Sequence, residues 1–359
     1  MTTAARVLCL LAAGACLEAA ERWRIEPPPS PGGSLAIRDL KFLSATRGVG
    51  VGLLGRGRRA RPVVILTSDG GKTWDTVETK EAGSSLFFLN QETGWMVTGN
   101  GLWKTADSGR SWTRLPPSAA TEGISRVYFL DERRGFAVGA HKAVYETANG
   151  GAKWQRVAAA DQAESSPEYT SFNWITFVNG RYGMIAGASV PPQPGKSGER
   201  RELPHLTVFL DTRDGGATWT ASTTSMFGRV TRVVFAPDGR GLGLIEFQRD
   251  FEFPAEVFRI DWKTGQSSRA FRQPDCAVTD IAFGAAGEAY LAGIQVKPEK
   301  RSGDAPGRLR VLRSTDLSSW SEMSVAPRAI ARRAILSVLD AGHAWAATDE
   351  GKILRLAPE

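Results

Sequence analysis

Short segments in which apolar and polar residues alternate recur along the whole chain. In ISRVYFLDE (124–132), for example, Ile124, Val127 and Phe129 are apolar, and the segment ends in polar residues. This pattern is typical of a β-strand with one buried face, followed by a turn. Its recurrence indicates an architecture built from copies of one small unit.

The copies align on an apolar residue followed six positions later by a small one. In five copies the two residues are phenylalanine and glycine, and in two weaker copies the small residue is alanine. The seven pairs are Phe42 and Gly48, Phe88 and Gly94, Phe129 and Gly135, Phe177 and Gly183, Phe235 and Gly241, Phe283 and Ala289, and Val338 and Ala344.

Each copy contains four strand-like segments. The aromatic strand is followed by a second strand such as GWMVTG (94–99), a third that leads into a polar turn, and a fourth that leaves it. Repeats of roughly 40 to 50 residues with four antiparallel strands are typical of propeller blades. The sequence therefore predicts one all-β domain over residues 21–359, a seven-bladed β-propeller whose blades begin near residues 36, 84, 123, 172, 229, 277 and 333.

The two ends of the chain are expected to complete one blade together. The seventh copy ends after its third strand, whereas ERWRIEP (21–27) matches the fourth strands RSWTRLP and AKWQRVA, with Trp23 in the place of Trp112 and Trp154. We therefore expect residues 21–27 to pair with the last strand and close the ring. Closure would remove the open sheet edges of an incomplete blade.

Four of the polar turns share the pattern Thr-x-Asp/Asn-x-Gly-x-x-Trp, as in TSDGGKTW (67–74). The Asp or Asn side chain can accept hydrogen bonds from its own turn, glycine permits a positive φ, and Trp can pack beneath the loop. A calcium site would need several converging oxygens, but each turn offers at most one carboxylate. We therefore predict no metal or cofactor site and interpret these residues as structural: Asp69, Trp74, Asp107, Trp112, Asn149, Trp154, Asp214 and Trp219.

The first twenty residues, MTTAARVLCLLAAGACLEAA, have the features of a secretory signal peptide. Arg6 precedes an apolar run from Val7 to Leu17, which is too short to span a bilayer. This predicts export to the periplasm or the extracellular space without a transmembrane span. Lipid anchoring through Cys16 is an alternative, because AGAC partly matches a lipoprotein signal. Cleavage would leave Cys276 as the single cysteine, so we expect no internal disulfide.

Four insertions are predicted between the second and third strands of their blades, at residues 55–62, 190–204, 248–255 and 296–308. Such loops emerge on the face opposite the polar turns and here carry six of the seven net positive charges. They are either solvated tips or a docking surface for an acidic protein partner or an anionic membrane. The residues that would supply this charge are Arg56, Arg58, Arg59, Arg61, Arg200, Arg201, Lys300 and Arg301.

The polar turns resemble the Asp-box, or BNR repeat, of the sialidase superfamily. Together with the seven copies, they make nearly the whole chain similar to the Ycf48/HCF136 family of photosystem II stability and assembly factors. The resemblance implies a non-enzymatic protein that binds intermediates of membrane-protein assembly. This chain departs from compact members by its long insertions and by degenerate turns in blades 5 and 6, such as RIDWKTG (259–265).

The competing hypothesis is a carbohydrate-active enzyme, such as a sialidase-like glycoside hydrolase. A sialidase would need three arginines, a Tyr paired with a Glu, and an Asp. The motif Arg24-Ile25-Glu26-Pro27 only approaches the sialidase Arg-Ile-Pro, and no full set of catalytic residues can be matched. We therefore predict no catalytic residues and no nucleic-acid binding, and we expect a monomer with a protein partner.

Overall fold

The computed structural model describes residues 21–29, 34–192, 203–247, 251–297 and 305–358. Their strands form seven antiparallel sheets, which are the blades of a β-propeller. The predicted fold class is therefore confirmed. The proposed signal peptide and Cys16 lie outside the described residues.

Strands are numbered in chain order, and β1 (Glu21–Ile25) belongs to blade 7. Blade 1 contains β2 (Leu35–Phe42), β3 (Gly48–Leu54), β4 (Arg61–Thr67) and β5 (Asp75–Glu78). Blade 2 contains β6 (Gly83–Phe88), β7 (Gly94–Thr98), β8 (Gly101–Thr105) and β9 (Thr113–Arg114). Blade 3 contains β10 (Ile124–Phe129), β11 (Gly135–Gly139), β12 (Val144–Thr147) and β13 (Gln155–Arg156).

Blade 4 contains β14 (Thr170–Val178), β15 (Tyr182–Ser189), β16 (His205–Thr212) and β17 (Thr220–Met226). Blade 5 contains β18 (Arg229–Phe235), β19 (Arg240–Glu246), β20 (Ala255–Asp261) and β21 (Gln266–Arg272). Blade 6 contains β22 (Cys276–Phe283), β23 (Ala289–Gln295), β24 (Gly307–Ser314) and β25 (Ser321–Glu322). The short β26 (Ser324–Val325) and β27 (Ile330–Ala331) precede blade 7, which contains β28 (Ala334–Asp340), β29 (His343–Thr348) and β30 (Ile353–Pro358).

Helical structure is confined to short connections in the described chain. These are the 3-10 turns Gly57–Arg59 and Ala119–Thr121 and the helix α1 (Ala159–Gln162). The dominance of short strands follows from the alternating pattern and from frequent glycine-containing turns.

The N-terminal strand closes the ring, as the sequence predicts. Strand β1 pairs antiparallel with β30, with Trp23 opposite Leu356, and on its other side pairs in parallel with β26. Trp23 is fully buried, and Arg355 forms an ion pair with Glu26 at 2.7 Å. The chain ends are therefore joined by both hydrogen bonds and packing.

The aromatic and glycine pairs define the register of every blade. In all seven copies the two residues stand directly opposite each other where the first and second strands begin to pair. A Cβ atom on Gly135 would lie only 2.4 Å from the Phe129 ring. The ring thus occupies the space above the glycine and is itself stacked on Trp95 of blade 2, at 3.6 Å between ring centres.

Two faces of the disc are distinguished below. The box face carries the turns from first to second and from third to fourth strands, and the loop face carries the connections from second to third strands. The insertions of blades 1, 4, 5 and 6 all connect second to third strands, and the strand ends that flank them lie on the loop face.

We expect Gly135→Ala to destabilise the protein by about 1 to 3 kcal/mol, because Phe129 cannot move away from its stack on Trp95. Urea unfolding would measure the loss. Gly99→Ala is the matched control, since a Cβ there meets nothing within 4 Å. Equal stability of the two variants would contradict this account of the register.

Candidate functional site

The four Asp-box turns have one hydrogen-bond pattern. In blade 1 the Thr67 hydroxyl donates to Asp69 Oδ1 at 2.9 Å and accepts the Gly71 N–H at 2.9 Å. Asp69 Oδ1 also accepts the N–H of Thr73, whose hydroxyl donates to Asp69 Oδ2 at 2.6 Å. Both carboxylate oxygens therefore bond within the turn. Blades 2 and 4 repeat all of these bonds, and in blade 3 Asn149 makes the two that its amide oxygen allows.

The box tryptophans pack between blades. Trp74, Trp112, Trp154 and Trp219 each lie in a cluster that joins their own blade to the preceding one. The box turns are also tied to the neighbouring turns on the box face, for example by a hydrogen bond from Gly70 N–H to the carbonyl of Thr46 at 2.8 Å. These turns thus hold loops and blades in place.

The basic residues predicted for docking are only partly described. Arg56, Arg58 and Arg59 lie in or beside the 3-10 turn on the loop face of blade 1, and all three are exposed. Arg56 donates to the Ser34 hydroxyl at 3.1 Å. The other half of the predicted set, Arg200, Arg201, Lys300 and Arg301, lies outside the described residues.

The placement of Arg61 in that loop is wrong. Strand β4 begins at Arg61, which pairs with Leu54, and its guanidinium forms an ion pair with Glu78 on the neighbouring strand. The ladder with β3 continues back to Arg61, so the strand starts earlier than the charge pattern indicated. Arg61 is therefore not a free charge of the loop.

A second group of side chains converges on the centre of the ring. These residues stand three positions before the phenylalanine of each first strand, or before Val338 in blade 7, and in blades 1 to 6 a β-bulge lies immediately before them. Bulges commonly redirect a side chain. The seven residues are Asp39, Ser85, Arg126, Trp174, Arg232, Asp280 and Ile335.

Trp174 lies between the two arginines of this group. The guanidinium carbon of Arg126 is 4.1 Å from the centre of the Trp174 ring, and that of Arg232 is 4.4 Å from it. Arg232 also forms an ion pair with Asp280 at 2.7 Å. Arg126 donates to the Ser85 hydroxyl at 3.1 Å and, among the described residues, has no carboxylate within ion-pair distance. Cation and aromatic faces attract each other most strongly where water is excluded.

The two central carboxylates are used to join blades. Asp39 accepts the backbone N–H of Leu86 in blade 2 at 2.8 Å, and Asp280 accepts that of Leu336 in blade 7 at 2.8 Å. Burial alone would raise the pKa of Asp39, but Lys41, Arg126 and the Leu86 N–H outweigh it and hold that pKa below its usual value. Both carboxylates therefore already accept hydrogen bonds and lie close to positively charged side chains.

Arg126 is a partly buried cation of this central group. Its burial, and then the nearby charge of Arg232, lower its pKa to about 9, so the guanidinium is still protonated at neutral pH. It borders a cavity of about 460 Å³ that also touches Lys41, Phe87, Tyr128 and Trp174 and reaches the first turn of blade 2 on the box face. Such a cavity can accept a small anionic or aromatic group.

Other candidate chemistry is sparse. Within the described ranges, no three His, Cys, Asp or Glu side chains come together as a metal site. Cys276 is buried, and this burial raises the pKa of its thiol to about 12, so it is not an activated nucleophile. In the described part of the chain, no helix has the length and apolar character required to cross a membrane.

Sequence reasoning missed the central group. Its members are separated by roughly one blade repeat, and each lies in an otherwise ordinary strand. The position three residues before each aromatic would have been the usable signal, because charged residues and Trp occur there in strands that are otherwise largely apolar.

The fold defines the protein as a seven-bladed β-propeller, four of whose blades carry a Thr-x-Asp/Asn-x-Gly-x-x-Trp turn. Among solved structures, Ycf48 from Cyanidioschyzon merolae is similar at 18% identity and a TM-score of 0.61, over 94% of this chain and 98% of that one. Ycf48 bound to a D1 peptide is similar at 16% identity and a TM-score of 0.60, over 94% and 97% of the two chains. The WD40 propeller domain of Doa1 is 12% identical, with a TM-score of 0.56, over 94% and 97%.

These similarities confirm the expected resemblance to Ycf48 at the level of the fold. No family profile matches the chain, and no curated protein sequence is similar to it. The structural likeness therefore extends over nearly the full length of the propeller, while the sequences share few identical residues.

The pH dependence of an Asp-box tests its structural role. Hydrogen bonds from the side chain and backbone of Thr218, and from Thr212, lower the pKa of Asp214 to about 2. Asp214 is therefore expected to stabilise the folded state above about pH 4, with this contribution lost as the pH falls toward 2. Asp214→Asn should lower the urea midpoint at pH 7, and the difference from the wild type should shrink at pH 3.

Glu132→Gln is the control, because this exposed acid in the neighbouring blade has no comparable set of hydrogen bonds within the described structure. The hydrogen-bond explanation would be contradicted if Asp214→Asn lowered the urea midpoint by the same amount at pH 7 and at pH 3.

Proposed function

We propose that this protein is an exported, non-enzymatic propeller that binds an acidic segment of a protein partner through its loop face. The likeness to Ycf48 propellers, one of which has been solved with a D1 peptide, supports a role in binding proteins. A propeller fold alone is compatible with many functions. The choice therefore depends on the charges that this chain presents.

The proposal rests mainly on the exposure of Arg58 and Arg59 and on their lack of an ion pair within the described structure. Both are exposed on the short 3-10 turn of blade 1, and no carboxylate in the described part of the chain forms an ion pair with them. The inserted segment 55–62 contains no acidic residue. Exposed cations of this kind accelerate association with an acidic partner and make it dependent on salt.

The central cavity is a second contact for the same class of ligand. Arg126 lacks a carboxylate partner among the described residues, and Trp174 and Tyr128 provide aromatic walls. The cavity opens toward the box face, whereas Arg58 and Arg59 lie on the loop face. A segment bound in the cavity would therefore not overlap with one bound at these two arginines. Separate variants can therefore distinguish the two contacts.

The enzyme hypothesis is less well supported. Glycoside hydrolysis by a carboxylate pair needs one acid to transfer a proton and another to act as nucleophile or base. Asp39 and Asp280 are buried and already accept backbone N–H groups of neighbouring blades. We therefore propose a binding role. Hydrolysis of sialosides or β-glucans that is abolished by mutation of one central carboxylate would overturn it.

Export is part of the proposal and rests on residues 1–20, whose sequence has the features of a signal peptide. Cell fractionation of the tagged full-length chain would test it. Recovery in the periplasm or the medium is expected, and retention in the cytoplasm would contradict it. Membrane association that is lost in a Cys16→Ala variant would identify a lipid anchor.

We expect the double variant Arg58→Glu and Arg59→Glu to reduce the on-rate for a synthetic acidic peptide by about tenfold or more at low salt. Because the steering charges are removed, the salt dependence should also become weaker. Surface plasmon resonance over a range of NaCl concentrations would measure both effects. Liposomes containing phosphatidylglycerol, tested in parallel, would distinguish an anionic membrane from an acidic protein.

The control changes the same amount of charge on the box face, with Arg110→Glu and Lys153→Glu, two residues that are also exposed. It should bind the peptide like the wild type at the loop face. Equal losses in both double variants would mean that net charge, and not the loop face, governs binding. An Arg126→Gln variant would report separately on the central cavity.

A further inference from the structure

Blade 5 departs from the packing rule of the other blades. Six blades place a tryptophan in the interface with the preceding blade, five of them just before the fourth strand and one, Trp23, within it. These residues are Trp74, Trp112, Trp154, Trp219, Trp320 and Trp23. The degenerate turn of blade 5 contains Trp262, which also contacts the preceding blade, because its ring stacks on Tyr182 of blade 4 with ring centres 4.9 Å apart. This indole lies in the turn itself and not at the tryptophan position beside the fourth strand.

The residue that takes the tryptophan position in blade 5 is Ser267. It pairs with Ile260, which in turn pairs with Gly241 of the Phe and Gly pair. In blade 4, the corresponding residue on the third strand is Thr212, and the next residue in register opposite it is Trp219. The tight turn from β20 to β21 therefore replaces an indole with a hydroxymethyl group.

This replacement leaves the interface between blades 4 and 5 incompletely filled. Ser267 borders a cavity of about 750 Å³ between these blades. The interface has a small buried core, while Met184, Phe209, Phe258 and Ile260 in it are only partly buried. Loss of a large side chain from a packed interface leaves space that the surroundings fill only in part. The size and apolar lining fit a ligand-binding pocket.

One wall of this cavity is the outermost strand of blade 4. Thr220, Ser222, Thr224 and Met226 on β17 all face the cavity. The seven residues of β17, TASTTSM, carry no charge and no proline, and in the described structure the strand pairs only with β16. Edge strands without charges or prolines readily accept a further strand.

The chain after β17 adds an exposed aromatic residue. Phe227 directly follows the strand and is 41% exposed, which makes it one of the few large apolar side chains at the described surface. Its ring lies 5.3 Å from that of Phe251 in blade 5. Apolar surface therefore continues from the cavity to the loop-face end of the strand.

Two charged side chains, Asp211 and Arg213, line the cavity. Tyr182 donates its hydroxyl to Asp211 Oδ1 at 3.0 Å, and in the described structure Oδ2 has no hydrogen-bond donor. Asp211 is the single acid among the residues that line the cavity, so the pair of acids needed for glycoside hydrolysis is not present there. An indole N–H that enters the cavity could donate to this carboxylate.

We infer that the groove between blades 4 and 5 binds an extended peptide segment of a partner protein, which pairs with β17 and inserts a tryptophan side chain at the position taken by Ser267. The occupant is defined by the molecule itself, because an indole stands at this register position in each of the other six blades, whereas Trp262 lines the cavity only from the neighbouring turn. This site is separate from Arg58 and Arg59, which lie on blade 1. It goes beyond the proposed charge-dependent docking.

The test measures binding of a short synthetic peptide of alternating Thr and Val with one central Trp to the full-length protein by calorimetry. We expect Ser267→Trp, which restores the indole of the other blades, to weaken binding about tenfold or more. Ser268→Trp is the matched control, because the neighbouring side chain belongs to the opposite face of β21. It should leave binding unchanged.

A second pair of variants covers the case in which Ser267→Trp disturbs folding. Ser222→Lys places a charge above the cavity and should weaken binding about tenfold, whereas Thr223→Lys on the other face of β17 should not. A peptide with N-methylated backbone amides should also bind more weakly, since it cannot pair with the strand edge.

Three results would overturn the inference. They are absence of binding, equal affinity for the Trp peptide and its Trp→Ala counterpart, and binding that Ser267→Trp and Ser222→Lys leave unchanged. N-acetyltryptophanamide binding as tightly as the peptide would show a small-molecule pocket in place of a peptide groove. The Arg58→Glu and Arg59→Glu variant should retain peptide binding, so failure of the charged loop face and failure of this groove are distinguishable.

Discussion

The architecture depends on a close contact between the phenylalanine that ends the first strand of a blade and the glycine that begins the second. In blades 1 to 5 the ring occupies the space that a Cβ atom would need, with distances of 2.4 to 2.8 Å at the five glycines. Register is therefore defined at one point per blade. The same rings stack between blades, as Phe129 does on Trp95 and Phe42 on Trp345. One contact thus connects strand pairing to ring assembly.

The repeat then determines where variation is tolerated. Asp-box turns use their carboxylates internally, so a change from Asp to Asn in blade 3 preserves the shape of the turn. The altered turn of blade 5 has a different consequence, because Ser267 stands at the register position where the other six blades place an indole between blades. Blade 5 therefore departs from the packing of the other blades, and no other contact evidently compensates for it. In a regular fold, such a departure is where a functional site is expected. The loop-face insertions are the other departure from the repeat.

Much of the fold was readable from spacing alone. The six-residue distance from Phe42 to Gly48, repeated along the chain, predicted the number of blades, and the structure shows that the two residues pair opposite each other in a hairpin. Trp23 predicted ring closure because it matches other fourth strands. The error at Arg61 has a local cause, since charge and turn residues do not reveal how far a neighbouring strand extends its pairing. In Ycf48, the same propeller fold accompanies a very different sequence.

By itself, the sequence determined the blades, their closure and the internal role of the box turns, because these depend on contacts between residues close in the chain or on exact repetition. Tertiary structure alone decided that Asp39, Arg126 and Trp174 meet at the centre, and that Ser267 faces an unfilled space beside β17. Those relationships join residues one or more blades apart. Such contacts form only in the closed ring, where the first strands surround one axis and the start of each fourth strand packs near the preceding blade.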